Sequence, residues 1–210
     1  MLNKILFASH NPSKFKRFKD SIDWNKLGFE FVRITDLNLP VEDPDETGAT
    51  EKENAKIKAD AYYKVSKIPC LALDTGFYIE NYPPEKQPGK HVQRIAGVLH
   101  SDSDDQRFEK MSQYYINIAK EFGGEAKAYF LDAFCLFDGK NYFYEEARRL
   151  ALITDKVNFK DVHFPIASVY KVPQFEKYYH DLSPEEMSQY IHPSLEAVTN
   201  IIKKLQHNLL

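Results

Sequence analysis

Asp74 closes the apolar run "CLAL" (Cys70 to Leu73), and a carboxylate at the end of such a run is costly unless it is solvated or paired. Two readings fit it. Either it faces a cleft, where it could hold a metal or activate water, or it bonds the backbone around a Thr75-Gly76 turn. Upstream, Thr50 and Glu53 have capping-box spacing at a helix start. Asn54 and Lys58 follow four residues apart, on one face of that helix. Near the N-terminus, "ASHNPSK" (Ala8 to Lys14) carries Ser9, Asn11 and Lys14 where a strand would turn into a helix. Free backbone N–H groups and the helix dipole make such a junction an anion site. The plainer reading is an Asn-Pro turn before a basic helix face, "KFKRFK". Arg94 in "QPGKHVQRIAG" suits a phosphate ligand or an ordinary surface position. His192, ahead of Pro193, could stack on a base or close a turn. Glu42, Asp43, Asp45 and Glu46 read first as a solvated loop and only second as metal ligands.

The elements that must position these groups mix strands and helices throughout. "KILFAS" reads as a strand, and Ser13 can cap a helix with Phe15, Phe18 and Ile22 on its apolar stripe. "FEFVRI" (Phe29 to Ile34) alternates as a second strand. Thr50 opens a helix with Ala55, Ala59 and Tyr62 on one side, ending before Pro69. "CLAL" is a buried strand and "FYIE" continues beyond the expected turn. An amphipathic helix runs from Ser103 to Phe122 and stops at Gly123-Gly124. A hairpin turning at Asp138-Gly139 follows. Val157 to Val172 reads as extended; Ser183 then opens a short helix and Ser194 the last one. The pattern predicts an α/β fold, a long mixed sheet covered by helices, over residues 1–210 as one domain.

Composition narrows the function classes. In 210 residues, 43% are hydrophobic and 28% charged, enough for a substantial core. With 13 Tyr and 15 Phe, that core should be aromatic. A net charge of -3 gives no electrostatic case for nucleic-acid binding. No apolar run reaches the roughly 20 residues that a membrane span needs, and the N-terminus lacks a signal-peptide pattern. Cys70 and Cys135 sit in apolar runs and read as reduced core residues, and the seven histidines show no zinc-ligand spacing. A cytoplasmic location is the expectation.

Four segments in order resemble the inosine-triphosphate pyrophosphatase family, which hydrolyses non-standard purine nucleoside triphosphates. "SHNPSK" is similar to its [ST]-x-N-x-x-K loop. "TGATEKENAKIKA" resembles T-G-x-T-F-x-E-N-A-x-x-K-A, with Glu51 in place of Phe. "LALDTGF" resembles an acidic-acidic-[ST]-G-L strand end, and "PGKHVQRIAG" resembles P-G-x-x-S-A-R-x-x-G. The likeness runs from Leu6 to Gly97 and weakens beyond. It implies two lobes with a central cleft, a homodimer, and Mg²⁺-dependent attack of water on the α-phosphate of a nucleoside triphosphate, giving a monophosphate and pyrophosphate. It places Ser9, Asn11, Lys14, Asn54, Lys58, Thr75, Gly76, Arg94 and His192 on the substrate. Glu53 and Asp74 would hold the metal and carry the catalysis.

The departures are Leu73 where the family has a second acid, "VHFPIA" (Val162 to Ala167) with Phe164 for an aspartate, Met187 for a lysine, and Ile191-His192-Pro193 for S-H-R. The base end is therefore expected to be rebuilt. Two alternatives stand beside the enzyme: a nucleotide-binding or regulatory protein of the same fold, and a pyrophosphatase for a different phosphorylated small molecule.

Overall fold

The computed structural model describes residues 3–209 apart from Asn38, Val41, Asp43, Gln93, Arg94 and His100. Its strands are β1 (Asn3–Phe7), β2 (Phe29–Arg33), β3 (Cys70–Ile79), β4 (Glu125–Phe137), β5 (Tyr142–Thr154), β6 (Tyr170–Val172) and β7 (Lys177–Tyr178). The helices are α1 (Pro12–Ser21), α2 (Glu51–Ser66), α3 (Asp104–Glu121) and α4 (Pro184–Leu209). The strands form one mixed sheet in the order β2-β1-β3-β4-β5-β6-β7, with β1 parallel to β2 and β3, and β6 antiparallel to β5 and β7. This is the expected α/β architecture.

The chain divides into two compact units. The first comprises residues 1–75, 132–147 and 192–210. Alternation along its strands sorts side chains onto two faces. On one face Ile5, Phe7, Phe31, Leu71, Leu73 and Phe134 pack with Phe18 of α1 and with Val198, Ile202 and Leu205 of α4. On the other, Leu6, Ala8, Cys70, Ala72 and Cys135 pack under Ala55, Ala59 and Tyr62 of α2. The aromatic content appears here as a ring cluster in which Trp24 stacks on Phe31 at 4.0 Å. Both cysteines are free and buried, and burial pushes each thiol up to about 12.

The second unit comprises residues 76–131 and 148–191. It holds α3, whose Ser103 and Gln106 form a reciprocal capping box. Its own aromatic core includes Phe77, Tyr115, Phe130 and Tyr170. Among the described residues no helix is long and apolar enough to cross a membrane.

Four local expectations are corrected. Helix α1 starts two residues earlier, at Pro12, and Asn11 rather than Ser13 caps it, because its side chain reaches the amides of Ser13 and Lys14. Thr75-Gly76 is not a turn: β3 runs unbroken through both, since Thr75 and Asp74 each find side-chain partners and nothing forces the chain to reverse. Residues 157–172 are not a strand; irregular chain leads into a 3₁₀ turn at Pro165–Ser168 and only Tyr170–Val172 pairs. The two C-terminal helices are one, α4, with Pro193 inside it. Ser194 is not a cap there but donates its hydroxyl to Asp132.

Candidate functional site

The loop after β1 leaves the sheet while still bonded to it, with Ala8 N–H donating to Leu71 O at 2.9 Å. It then closes on itself. Ser9 N–H donates to Phe7 O, Asn11 N–H to Ser9 Oγ, and Ser13 and Lys14 N–H both to Asn11 Oδ1. Those four amides are therefore committed inside the chain. The anion site suggested by free N–H groups at this junction shifts to side chains, above all Lys14. The Lys14 ammonium is pushed below its usual range by burial first and by neighbouring Lys58 second; Asp74 and Asp132 act in the opposite sense.

Helix α2 presents a stripe at i, i+4 and i+8 to the same region. Asn54 at its top is 1% exposed. Its Oδ1 accepts from Gly48 N–H at 2.8 Å and its Nδ2 donates to Asp74 Oδ2 at 3.1 Å. Gly48 must lack a side chain: a Cβ there would lie 2.6 Å from Glu53 Cβ and 2.9 Å from Asn54 N. One turn on, the Lys58 Nζ lies 2.9 Å from Asp74 Oδ1 and 2.6 Å from Glu46 Oε1. Burial lowers the Lys58 pKa, but Asp74 and Glu46 raise it more, so it ends above the usual 10.5. Tyr62, another turn on, bonds His10 Nδ1 at 2.9 Å, which ties α2 to the β1 loop. Asp74 is 6% exposed and held on both oxygens, as a buried carboxylate requires.

Behind it lies a residue that sequence reasoning missed. Asp132 on β4 is fully buried. Its Oδ1 accepts from the Thr75 hydroxyl at 2.9 Å and its Oδ2 from the Ser194 hydroxyl at 2.6 Å. The available signal was an aspartate inside the apolar stretch "YFLDAFCLF". His10 and Tyr62 were passed over as well.

The first unit thus gathers Lys14, Asn54, Lys58 and Asp74, with Ser9, Asn11 and Thr75 attached by hydrogen bonds. Glu53 is exposed, and its Oε2 accepts from Ala49 N–H at 2.5 Å while Thr50 Oγ1 caps Glu53 N–H. The reciprocal bond of a capping box is therefore shifted by one residue. Gly76 is buried within β3, and His192 is an exposed residue of α4 that closes no turn. Arg94 and Asp43 lie outside the described residues. In the second unit Phe164 packs near Phe130, ring centroids 6.1 Å apart.

Comparison with known proteins agrees with this fold. The family model described as the Ham1 family matches residues 5–203. A dITP/XTP pyrophosphatase of Brucella melitensis is 34% identical over 137 residues, 63% of this chain and 58% of that protein. The chain spans about half the length of two further such relatives, 53% and 50%. A dITP/XTP pyrophosphatase of Aquifex aeolicus matches end to end, 27% identical over 97% of this chain and 98% of its own. Among solved structures, a HAM1 protein of Coxiella burnetii superposes with a TM-score of 0.72 at 24% identity, covering 99% of this chain and 98% of that one.

Proposed function

The chain belongs to the Ham1 family, and from that premise we propose that it is a Mg²⁺-dependent nucleoside triphosphate pyrophosphatase, releasing a nucleoside monophosphate and pyrophosphate. The observation that carries this reading is the buried Lys58–Asp74 pair, 2.9 Å apart, with Asn54 on the other Asp74 oxygen and Lys14 within the field of both charges. Two ammonium groups, one within the field of the other, suit a polyphosphate chain, whose charge demands cations at close range. The relatives named dITP/XTP pyrophosphatases support the same substrate class.

In this reading Lys14 and Lys58 bind the phosphate chain, and Lys58 exchanges its contact with the half-exposed Glu46 for a phosphate oxygen. Asn54 and Lys58 orient the Asp74 carboxylate, which accepts a proton from the attacking water. The water oxygen bonds to the α-phosphorus as the bond to the bridging oxygen breaks, and pyrophosphate departs. Glu53 and Asp74 would hold Mg²⁺. Their hard oxygens fit an ion that takes one or two carboxylates plus phosphate oxygens and water. When bound, the ion would neutralise phosphate charge. The reading extends to a homodimer, which light scattering tests, and to a cytoplasmic protein.

One observation favours a phosphate-binding module without turnover: both Asp74 oxygens are already bonded. Pyrophosphate release from a panel of inosine, xanthosine and ordinary nucleoside triphosphates, with Asp74→Asn alongside, decides between them. Turnover that disappears in Asp74→Asn supports the enzyme, and the preferred nucleotide identifies the base. Nucleotide binding with no turnover in the wild type supports the module.

A further inference from the structure

Asp74 and Thr75 are consecutive residues of β3 whose side chains leave on opposite faces. Cys70 and Ala72 put the even positions toward α2, and Leu71 and Leu73 put the odd ones toward α4. The strand is therefore gripped from both sides at one peptide unit. On the α2 side Asp74 receives Asn54 Nδ2 at 3.1 Å and Lys58 Nζ at 2.9 Å. On the α4 side the Thr75 hydroxyl donates to Asp132 Oδ1 at 2.9 Å, and Asp132 Oδ2 accepts from the Ser194 hydroxyl at 2.6 Å. Phe134 and Leu136 of β4 face α4 as well, in keeping with the two-residue period that puts Asp132 there.

This trio has a particular place in the chain. The first unit consists of three segments: Thr75 ends the first, Asp132 begins the second, and Ser194 is the third residue of the last. One carboxylate thus ties β3, β4 and α4 together at the borders of their runs through this unit. Asp132 is fully buried, and burial strips a carboxylate of its hydration at a cost that an apolar residue would not incur. A charge kept at that cost points to a task beyond packing. We infer that Asp132 is a positioning residue for Asp74, bracing the end of β3 through Thr75 against Ser194, and that the Thr75 hydroxyl serves this brace and not the substrate. The inference rests on the role of Asp74 in the proposed function. Without the brace Asp74 is held from the α2 side alone, and a shift of the strand at that peptide moves the proton acceptor away from the attacking water. Lys14 and Lys58 stand on α1 and α2, so phosphate binding is spared.

The test starts from Thr75→Val, which keeps the shape and removes the donor. It should lower kcat on the preferred nucleoside triphosphate about 10-fold to 100-fold, the cost of a misplaced catalytic group. KM should stay at the wild-type value, as should the affinity for inorganic tripolyphosphate, measured by calorimetry with chelator present. Thr75→Ser restores the donor and should recover most of the rate. Asp132→Leu should lower kcat by a similar factor, and Thr75→Val added to it should cost nothing further, because the two residues act as one unit. If Asp132→Leu does not fold, the comparison of valine with serine at position 75 decides alone.

A raised KM or weaker tripolyphosphate binding in Thr75→Val would place the hydroxyl on the substrate. Losses that multiply in the double variant would mean independent roles, and an unchanged kcat would mean no brace; each of these overturns the inference. Hydrogen exchange adds a readout that needs no turnover. The segment Cys70–Ile79 should exchange faster in Thr75→Val and Asp132→Leu than in wild type or Thr75→Ser, with β2 unchanged. Equal exchange in all four overturns the brace. A wild type that hydrolyses no nucleotide while the variants show the expected exchange overturns the pyrophosphatase reading alone.

Discussion

Lys58→Met is the perturbation whose cost the structure specifies most fully. Lys58 is 8% exposed, and its ammonium stands 2.9 Å from Asp74 Oδ1. At an effective dielectric of about 20, that single pair is worth about 6 kcal/mol of Coulomb energy, most of it offset by the desolvation of both ions. Methionine keeps the volume but leaves Asp74 buried without its cation, and such a broken pair costs about 3–5 kcal/mol. Asn54 still donates to Oδ2, which argues for the lower end. Glu46 adds little, because its side chain is 37% exposed and a pair with so wet a partner is worth under about 1 kcal/mol. A loss of about 3 kcal/mol lowers the melting temperature of a protein this size by about 6–12 °C.

Scanning calorimetry of wild type, Lys58→Met, Asp74→Asn and the double variant checks this. The double variant should recover at least half the loss, because it no longer buries an unpaired charge. The pH dependence follows from the raised Lys58 pKa. A cationic group held above its ordinary 10.5 contributes its full stabilisation below that value and loses it only as pH rises through the folded-state pKa. The gap between wild type and Lys58→Met should therefore be flat from neutrality to about pH 10 and narrow above it. A drop of less than about 2 °C, or a double variant no better than Lys58→Met, would refute the reasoning.

Three further outcomes are expected. Gly48→Ala forces a Cβ to within 2.9 Å of Asn54 N, on helix backbone that cannot swing aside; it should cost about 1–3 kcal/mol and loosen Asp74, seen as a lower melting temperature together with weaker tripolyphosphate binding. Glu46→Gln removes the competitor for Lys58 and should tighten tripolyphosphate binding several-fold in calorimetry, whereas unchanged affinity would mean that phosphate does not reach Lys58. Cys70 and Cys135, with thiols pushed by burial to about 12, should resist Ellman's reagent near pH 8 until denaturant is added; rapid labelling of the folded protein would contradict their placement in the core.

How far the site was legible depends on where each contact lies along the chain. Asn54 and Lys58 were readable because helical spacing is local, and the structure brings both onto Asp74. Asp74 itself stood out because an apolar run ended on it. The Thr75-Gly76 turn was misread for a related reason: a Thr-Gly pair after an acid carries turn chemistry, and the bonds that keep β3 straight come from residues distant in sequence, Asp132 above all. The split of α4 at Pro193 failed likewise. Proline and serine signal a helix boundary, yet Ser194 is anchored from outside the helix by Asp132, 62 residues away. Local pattern reads local contacts; a carboxylate on a neighbouring strand can reassign a turn residue and a cap residue together.

The counter-charges of the site differ in exposure. Lys58 disfavours the charge of Lys14, so a site with two cations needs anionic support in the absence of phosphate. Asp74 supplies it from a buried position on the α2 face of β3, and Glu46 supplies it from a more exposed one. Of the two, Glu46 is the one that a phosphate would replace, because the Asp74 carboxylate is fixed on both oxygens by Asn54 and Lys58.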